Sequence, residues 1–314
     1  MSRKVLLQLV LPLIGLSVLF WLLAFAPGDK HHQPALLEMS VILRDGDGNV
    51  SAMRKGMEQA AKDLNVELRF LTPAEDDSAV EQVQLLEHEV SGAAPAILLI
   101  PADREALGEA VSAAAGKTTL VTVESDMTAW GADASISMDH QALGEALGKA
   151  ALNGVPFGGT VLLLDSLLGD NGVRERMEAA KALLEEKGRQ VRIYRWTSDS
   201  TAFANILRIE RPKAVIAFEA AALTEMAELS RGEEAFPLLY GCGSTAGIAA
   251  ALEKGRVTAI AAVNVFSAGY LAVEAAAKLA RHESWTGASS VGFSIVRQET
   301  MYSSDNQKLL FPVT

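Results

Sequence analysis

The sequence predicts an α/β protein: two doubly wound, Rossmann-like lobes built on parallel sheets, preceded by one N-terminal transmembrane helix. Three observations carry this expectation. Short apolar runs of β character alternate with segments whose apolar residues recur every three to four positions, as in strands separated by helices that cover both faces of a parallel sheet. Eleven such runs are present, more than one sheet of about five or six strands absorbs. The 22 residues from Val5 to Ala26 carry no charge, enough to cross a bilayer core that needs about 20.

Arg3 and Lys4 precede the apolar run, and basic flanks stay cytoplasmic, so everything from Pro27 onward is expected to face outward. A cleaved signal peptide is the rival reading, because Ala24-Phe25-Ala26 resembles a small-residue cleavage site. The run exceeds the usual apolar region of about 7–15 residues, and Pro27 follows a cleavage point poorly, which favours an uncleaved anchor over 1–26. With no Cys near it, a lipid attachment is excluded. The polar, Pro-containing stretch 27–36 reads as a linker; its His31 and His32 lack the further ligands a metal needs, and no metal or cofactor is expected. All 39 acidic residues but only 26 of the 28 basic ones follow the span, a balance of −13 that disfavours nucleic acid as a partner. Cys242 is the single cysteine, so no internal disulfide supports the fold.

Strands are expected at 39–43, 66–71, 96–100, 119–123, 135–138, 160–164, 190–194, 214–218, 237–241, 258–263 and 291–296. Helices fall between most of them, at 50–64, 79–90, 103–115, 140–153, 171–187, 219–230, 244–253 and 266–281. Asp103 after Pro101 is an N-cap candidate, Asp170 or Asn171 opens the 171 helix, and Gly188 stands where a helix end wants a positive φ.

The loop "DGDGN" after the first strand invites two readings that fail. Counted as a calcium loop from Asp45, it has Asp47 and Asn49 in place but Val50 where Gly belongs and Gly56 where the bidentate Glu belongs. As a phosphate cradle it would set two carboxylates against the anion. Its place, after a parallel strand and before a helix, is where open α/β sheets bind ligands, which makes Asp45 and Asp47 ligand candidates with Asn49 or Ser51 as the cap. The alternative is that both Asp residues only favour the turn and the helix dipole.

From about residue 39 to 297 the chain resembles the type I periplasmic binding proteins, the ribose- and galactose-binding class that shares its fold with LacI-type repressor cores. The likeness is carried in order by "SVILRDGDGNVSAMRKGMEQAAKDLNVELRFL", "ILLIPADREAL", "LVTVESDM", "ASISMDHQALGEALGKA", "NGVRERMEAAKALLEE", "AVIAFEAAAL" and "YGCGSTAGIAAALEKGRVTAIAAVN". The expected membrane span stands where a repressor would carry its DNA-binding helices, which disfavours a repressor. The resemblance implies two lobes joined by three crossovers near 139–141, 263–265 and 289–291. The first lobe would comprise 37–140 with 265–289 and the second 141–263 with 290–303, leaving 304–314 as a C-terminal tail.

It also implies site residues. Arg176 matches an arginine that donates to ligand hydroxyls, and its guanidinium fork suits that task. Glu124 stands where the family has an accepting Asp, Trp196 falls near a stacking aromatic, Glu219 replaces an Asn, and Asn264 is the amide nearest the hinge Gln, which is Val263 here. Asp139 and Asp126 belong with the acids expected near the cleft. Asn49 and Val50 replace an aromatic pair and Gly243 replaces an Asp, so an ordinary pentose or hexose is in doubt; the gain of acid suggests a hydroxylated or amine-bearing ligand. Phe218, Phe266 and Trp130 are more readily read as packing. No nucleophile elbow, zinc spacing or phosphate loop is present, and Cys242 in "GCGST" would need His140 or His282 to converge on it by fold alone, so no enzyme is expected. The expected function is a membrane-anchored extracytoplasmic solute-binding protein serving an ABC permease or a sensor histidine kinase. A docking module that has lost small-molecule binding is the alternative.

Overall fold

The computed structural model describes residues 35–44, 50–75, 78–165, 171–197, 199–232 and 236–311. The expected span 1–26, nearly all of the linker, and Asp45, Asp47 and Asn49 lie outside them. Among the described residues no helix is long and apolar enough to cross a membrane. Leu36–Thr314 forms one compact unit. All described core residues lie inside it, so it carries its own means of folding.

In chain order the first elements are β1 (Leu37–Ile42), α1 (Val50–Leu64), β2 (Val66–Leu71), α2 (Ala79–Ser91), β3 (Ala96–Leu99), α3 (Arg104–Ala114), β4 (Thr119–Glu124) and β5 (Ala134–Ser137). The five strands form a wholly parallel sheet, β2-β1-β3-β4-β5. Its period of two divides the side chains. Met39, Val41, Leu98, Val121 and Ile136 join one core, and Ile42, Ile97, Leu99 and Leu120 join another with Leu86 of α2 and Leu107 of α3.

The chain continues through α4 (His140–Leu152), β6 (Thr160–Asp165), α5 (Asn171–Glu186), β7 (Gln190–Arg195), α6 (Ser200–Glu210), β8 (Ala214–Ala217), α7 (Ala220–Leu229), β9 (Leu238–Cys242), α8 (Ala246–Glu253) and β10 (Ala259–Val263). It ends with α9 (Val265–Ala280), β11 (Phe293–Val296) and α10 (Ser304–Leu310). The second sheet has six strands, β11-β10-β9-β8-β6-β7.

One strand departs from the parallel expectation: β11 pairs antiparallel with β10, Phe293 opposite Val263. The cause is the route of the chain. After β10 it crosses to place α9 against α1 and β4, then returns at Ser289–Val291 beside Ser137 and enters β11 from the crossover end. Ser137 N donates to Ser289 O, Val291 N to Ser137 O and Asn264 N to Gly292 O, tying the three crossing segments together.

The helix α9 lies close on α1 because both meet at glycine. A Cβ on Gly56 would stand 2.0 Å from Phe266 O, and one on Gly269 would stand 2.1 Å from Met53 O. The tail, which had no sequence-based assignment, forms α10 and inserts Leu310 into the second-sheet core.

Candidate functional site

Residues at the carboxyl ends of both sheets meet around a cavity of about 40 Å3. Arg44, Glu124 and Met138 reach it from the first sheet; Arg176, Glu219, Cys242, Gly243, Ser244 and Val263 line the other side. At roughly 10–15 Å3 of such space per water, it has room for a few waters.

Arg176 organises this place. It is only 6% exposed, a buried cation on a helix rather than a surface charge. Nε donates to His140 Nδ1 at 3.0 Å and Nη1 to Phe218 O at 2.9 Å. The remaining contacts are to sulfur, Nη1 to Cys242 Sγ at 3.7 Å and Nη2 to Met138 Sδ at 3.4 Å, and sulfur is a weak acceptor. Gly144 makes the arrangement possible: a Cβ there would lie 2.1 Å from Arg176 O, so only glycine on α4 lets α5 approach closely enough.

Because His140 Nδ1 accepts from Arg176, its proton sits on Nε2, which donates to Glu124 O at 3.0 Å. One imidazole, 8% exposed, therefore connects the end of β4 to α5. Glu124 is a non-glycine residue at φ 70°, in the left-handed region, which costs on the order of 1 kcal/mol. In this conformation its carbonyl also accepts from Ser137 Oγ at 2.7 Å, while its carboxylate pairs with Arg44 at 3.5 Å. A second cavity of about 280 Å3 lies beside the crossovers, lined by Arg104, Asp126, Asp139, His140 and Glu175 among others. Across it Arg104 of α3 faces Glu175 of α5 at 4.0 Å.

The expected site residues thus divide. Arg176, Glu124 and Glu219 come together. Asp139 lines the neighbouring cavity and caps α4, accepting from Ala142 N at 2.8 Å. Asn264 caps α9, accepting from Ser267 N at 3.0 Å. Trp196 does not line the Arg176 cavity. It is 6% exposed in the second-sheet core, edge-on to Phe203, and its indole N–H donates to Glu225 at 2.9 Å. Phe218 lies in the core; its carbonyl is the part the site uses. Sequence reasoning passed over Arg44, Met138 and the structural use of His140. The signal for Arg44 was present: a cation directly after the first strand, at the mouth of an acidic loop. Among the described residues no three His, Cys, Asp or Glu side chains gather in a way that holds a metal ion.

Two lobes with a polar cleft at their strand ends define the class of hinged binding proteins. The chain belongs to the periplasmic binding protein domain family, whose model matches residues 40–284. No curated protein sequence matches it. Among solved structures it is similar to an ABC transporter solute-binding protein from Agrobacterium vitis with bound D-fucose, at 20% identity, covering 87% of this chain and 100% of that one, with TM-score 0.80. A carbohydrate transporter solute-binding protein from Agrobacterium radiobacter in complex with D-arabinose gives 17% identity, 88% and 99% coverage and TM-score 0.82. A XylFII–LytSN complex gives 17%, 85% and 99%, and TM-score 0.76.

Proposed function

We propose that this protein is an extracytoplasmic solute-binding protein, held at the membrane by residues 1–26, that closes on a small polar ligand of sugar-like or amine-bearing class. Its lobes, 37–140 with 265–289 and 141–263 with 290–303, would hinge at the three crossing segments and present the closed form to an ABC permease or a sensor kinase. The observation that carries this reading is the buried Arg176 set among Glu124, Glu219 and Arg44 at the strand ends of both sheets. The sugars held by the similar structures, and the complex formed by one of them, support the ligand class and the existence of a protein partner. Ligand oxygens would replace the two sulfur contacts of Arg176 with stronger acceptors. Glu124 and Glu219 would accept ligand hydroxyl or ammonium protons, joined by Asp45, Asp47 and Asn49 from the first loop.

The docking-module alternative draws on the small volume of the cavity, about 40 Å3, which a monosaccharide enters only when the lobes part. Thermal unfolding of Leu36–Thr314 against monosaccharides, aminosugars, inositol, polyamines, nucleosides and amino acids separates the two. A ligand at 100 times its Kd adds about 2.7 kcal/mol. A response to one chemical class that vanishes in Arg176→Ala establishes the cleft as a binding site; a flat panel favours docking.

A further inference from the structure

A larger cavity, about 600 Å3, lies at the other end of the second sheet. Pro212 and Lys213 precede β8 and Phe236 and Pro237 precede β9, so this groove sits at the amino ends of parallel strands whose carboxyl ends form the cleft. Its floor is apolar: Phe203, Leu207, Leu229 and Phe236. Three cations share the same lining, Arg208, Arg211 and Lys213. Among the described residues none of them forms an ion pair, and Arg208 makes only an exposed bond to Asn205 Oδ1. Glu210, the carboxylate between Arg208 and Arg211, pairs instead with Arg192 at 3.8 Å, so the three cations stand without an ion pair among the described residues of a chain whose formal net charge is −11.

A structural account covers part of this. Arg208 is in the last turn of α6 and complements the negative end of the helix dipole. Lys213 is beyond the helix, and the left-handed C-cap at Arg211, φ 44°, turns the chain so that it lines the same groove. Apolar walls with a few converging polar groups, in a volume of about 300–1,000 Å3, are the usual composition of a small-molecule site.

We infer that this groove is a second binding site, for a monoanion with an apolar tail: a hydrophobic carboxylate whose tail lies over Leu207, Leu229 and Phe236 and whose head meets Arg208, Arg211 and Lys213. The site is independent of the cleft and of whatever the cleft binds. Arg gives the carboxylate two parallel N–H donors and Lys adds a third charge.

The test is isothermal titration calorimetry of Leu36–Thr314 with decanoate, below its micelle concentration, beside decanol and the double variant Arg208→Gln, Lys213→Gln. The expected result is one saturable site for decanoate. Its affinity falls at least tenfold in the variant and with added salt, and is at least tenfold weaker for decanol. Because neither replaced side chain forms an ion pair among the described residues and Arg208 complements only the dipole at the end of α6, the variant should lose no more than about 4 °C of melting temperature. Absence of saturable binding overturns the inference, as does binding that the variant leaves unchanged or that decanol matches.

Discussion

Replacing Arg176 by Ala tests whether this side chain is part of the frame as well as part of the site. The substitution strands two buried acceptors, Phe218 O and His140 Nδ1, each of which now takes an N–H at about 3 Å. Leaving a buried acceptor unmade costs about 1–3 kcal/mol, so the pair sets a loss of about 2–6 kcal/mol before any cavity term is added. At about 2–4 °C per kcal/mol for a unit slightly smaller than this one, ligand-free melting should fall by roughly 4–24 °C. The assay is differential scanning calorimetry of Leu36–Thr314 without ligand, beside Arg176→Lys, which keeps the charge but not the fork and should recover only part of the loss. A shift under about 2 °C in the Ala variant would refute the reasoning: the contacts to His140 and Phe218 would then contribute nothing, leaving Arg176 as a group waiting for ligand alone.

Three further outcomes follow from the same contacts. Gly144→Ala drives a methyl group into Arg176 O, 2.1 Å away, and should cost about 1–3 kcal/mol by overpacking; chemical denaturation measures it, and the loss should persist when combined with Arg176→Ala, because the atoms it strikes are backbone atoms that the Ala variant keeps. Trp196→Phe removes the donor to Glu225 and should lower stability by about 1 kcal/mol while leaving the affinity of any cleft ligand within about twofold, a tenfold loss being the result that would restore Trp196 to the site. Glu124→Gly relieves the positive φ but removes the Arg44 pair, so stability should change little while cleft affinity drops, as paired melting curves with and without ligand would show.

Much of the fold was legible because its signals are local. The runs that became β3 and β8 are short, apolar and bounded by Pro, Asp or helix starts, and Asp103 caps α3 as its position after Pro101 suggested. The direction of β11 was not legible, since it depends on where the returning chain enters the sheet. The C-terminal helix escaped because its seven residues form a stable turn only against the core that receives Leu310. Arg176, Glu124 and Glu219, which line one cavity, could be singled out because each stands at a strand end or in a motif. Arg44 and the bridging role of His140 were missed because they arise from convergence across elements 36 to 80 residues apart. Trp196, placed near the cleft by motif spacing, packs in the second-sheet core against Phe203, a contact that its sequence neighbours do not signal.

The arrangement around Arg176 also bears on how closure would be set without a ligand. His140 connects a carbonyl at the end of β4 to the guanidinium on α5, and Arg104 faces Glu175 alongside, so the cleft is joined by the protein's own groups. The Arg104–Glu175 contact is long and partly exposed, worth about 1 kcal/mol or less, and the sulfur contacts of Arg176 are weak. The imidazole relay is the stronger connection, and a ligand that left it intact would use only the Nη1 and Nη2 positions now facing Cys242 and Met138. Closure would then be partly prepaid, and a ligand would shift the open–closed balance only by the difference between its oxygens and those two sulfurs. His140→Phe, which removes both bonds at similar size, should therefore open the ligand-free cleft, visible as a larger radius of gyration in solution scattering. An unchanged radius would mean that the crossing segments alone hold the lobes together.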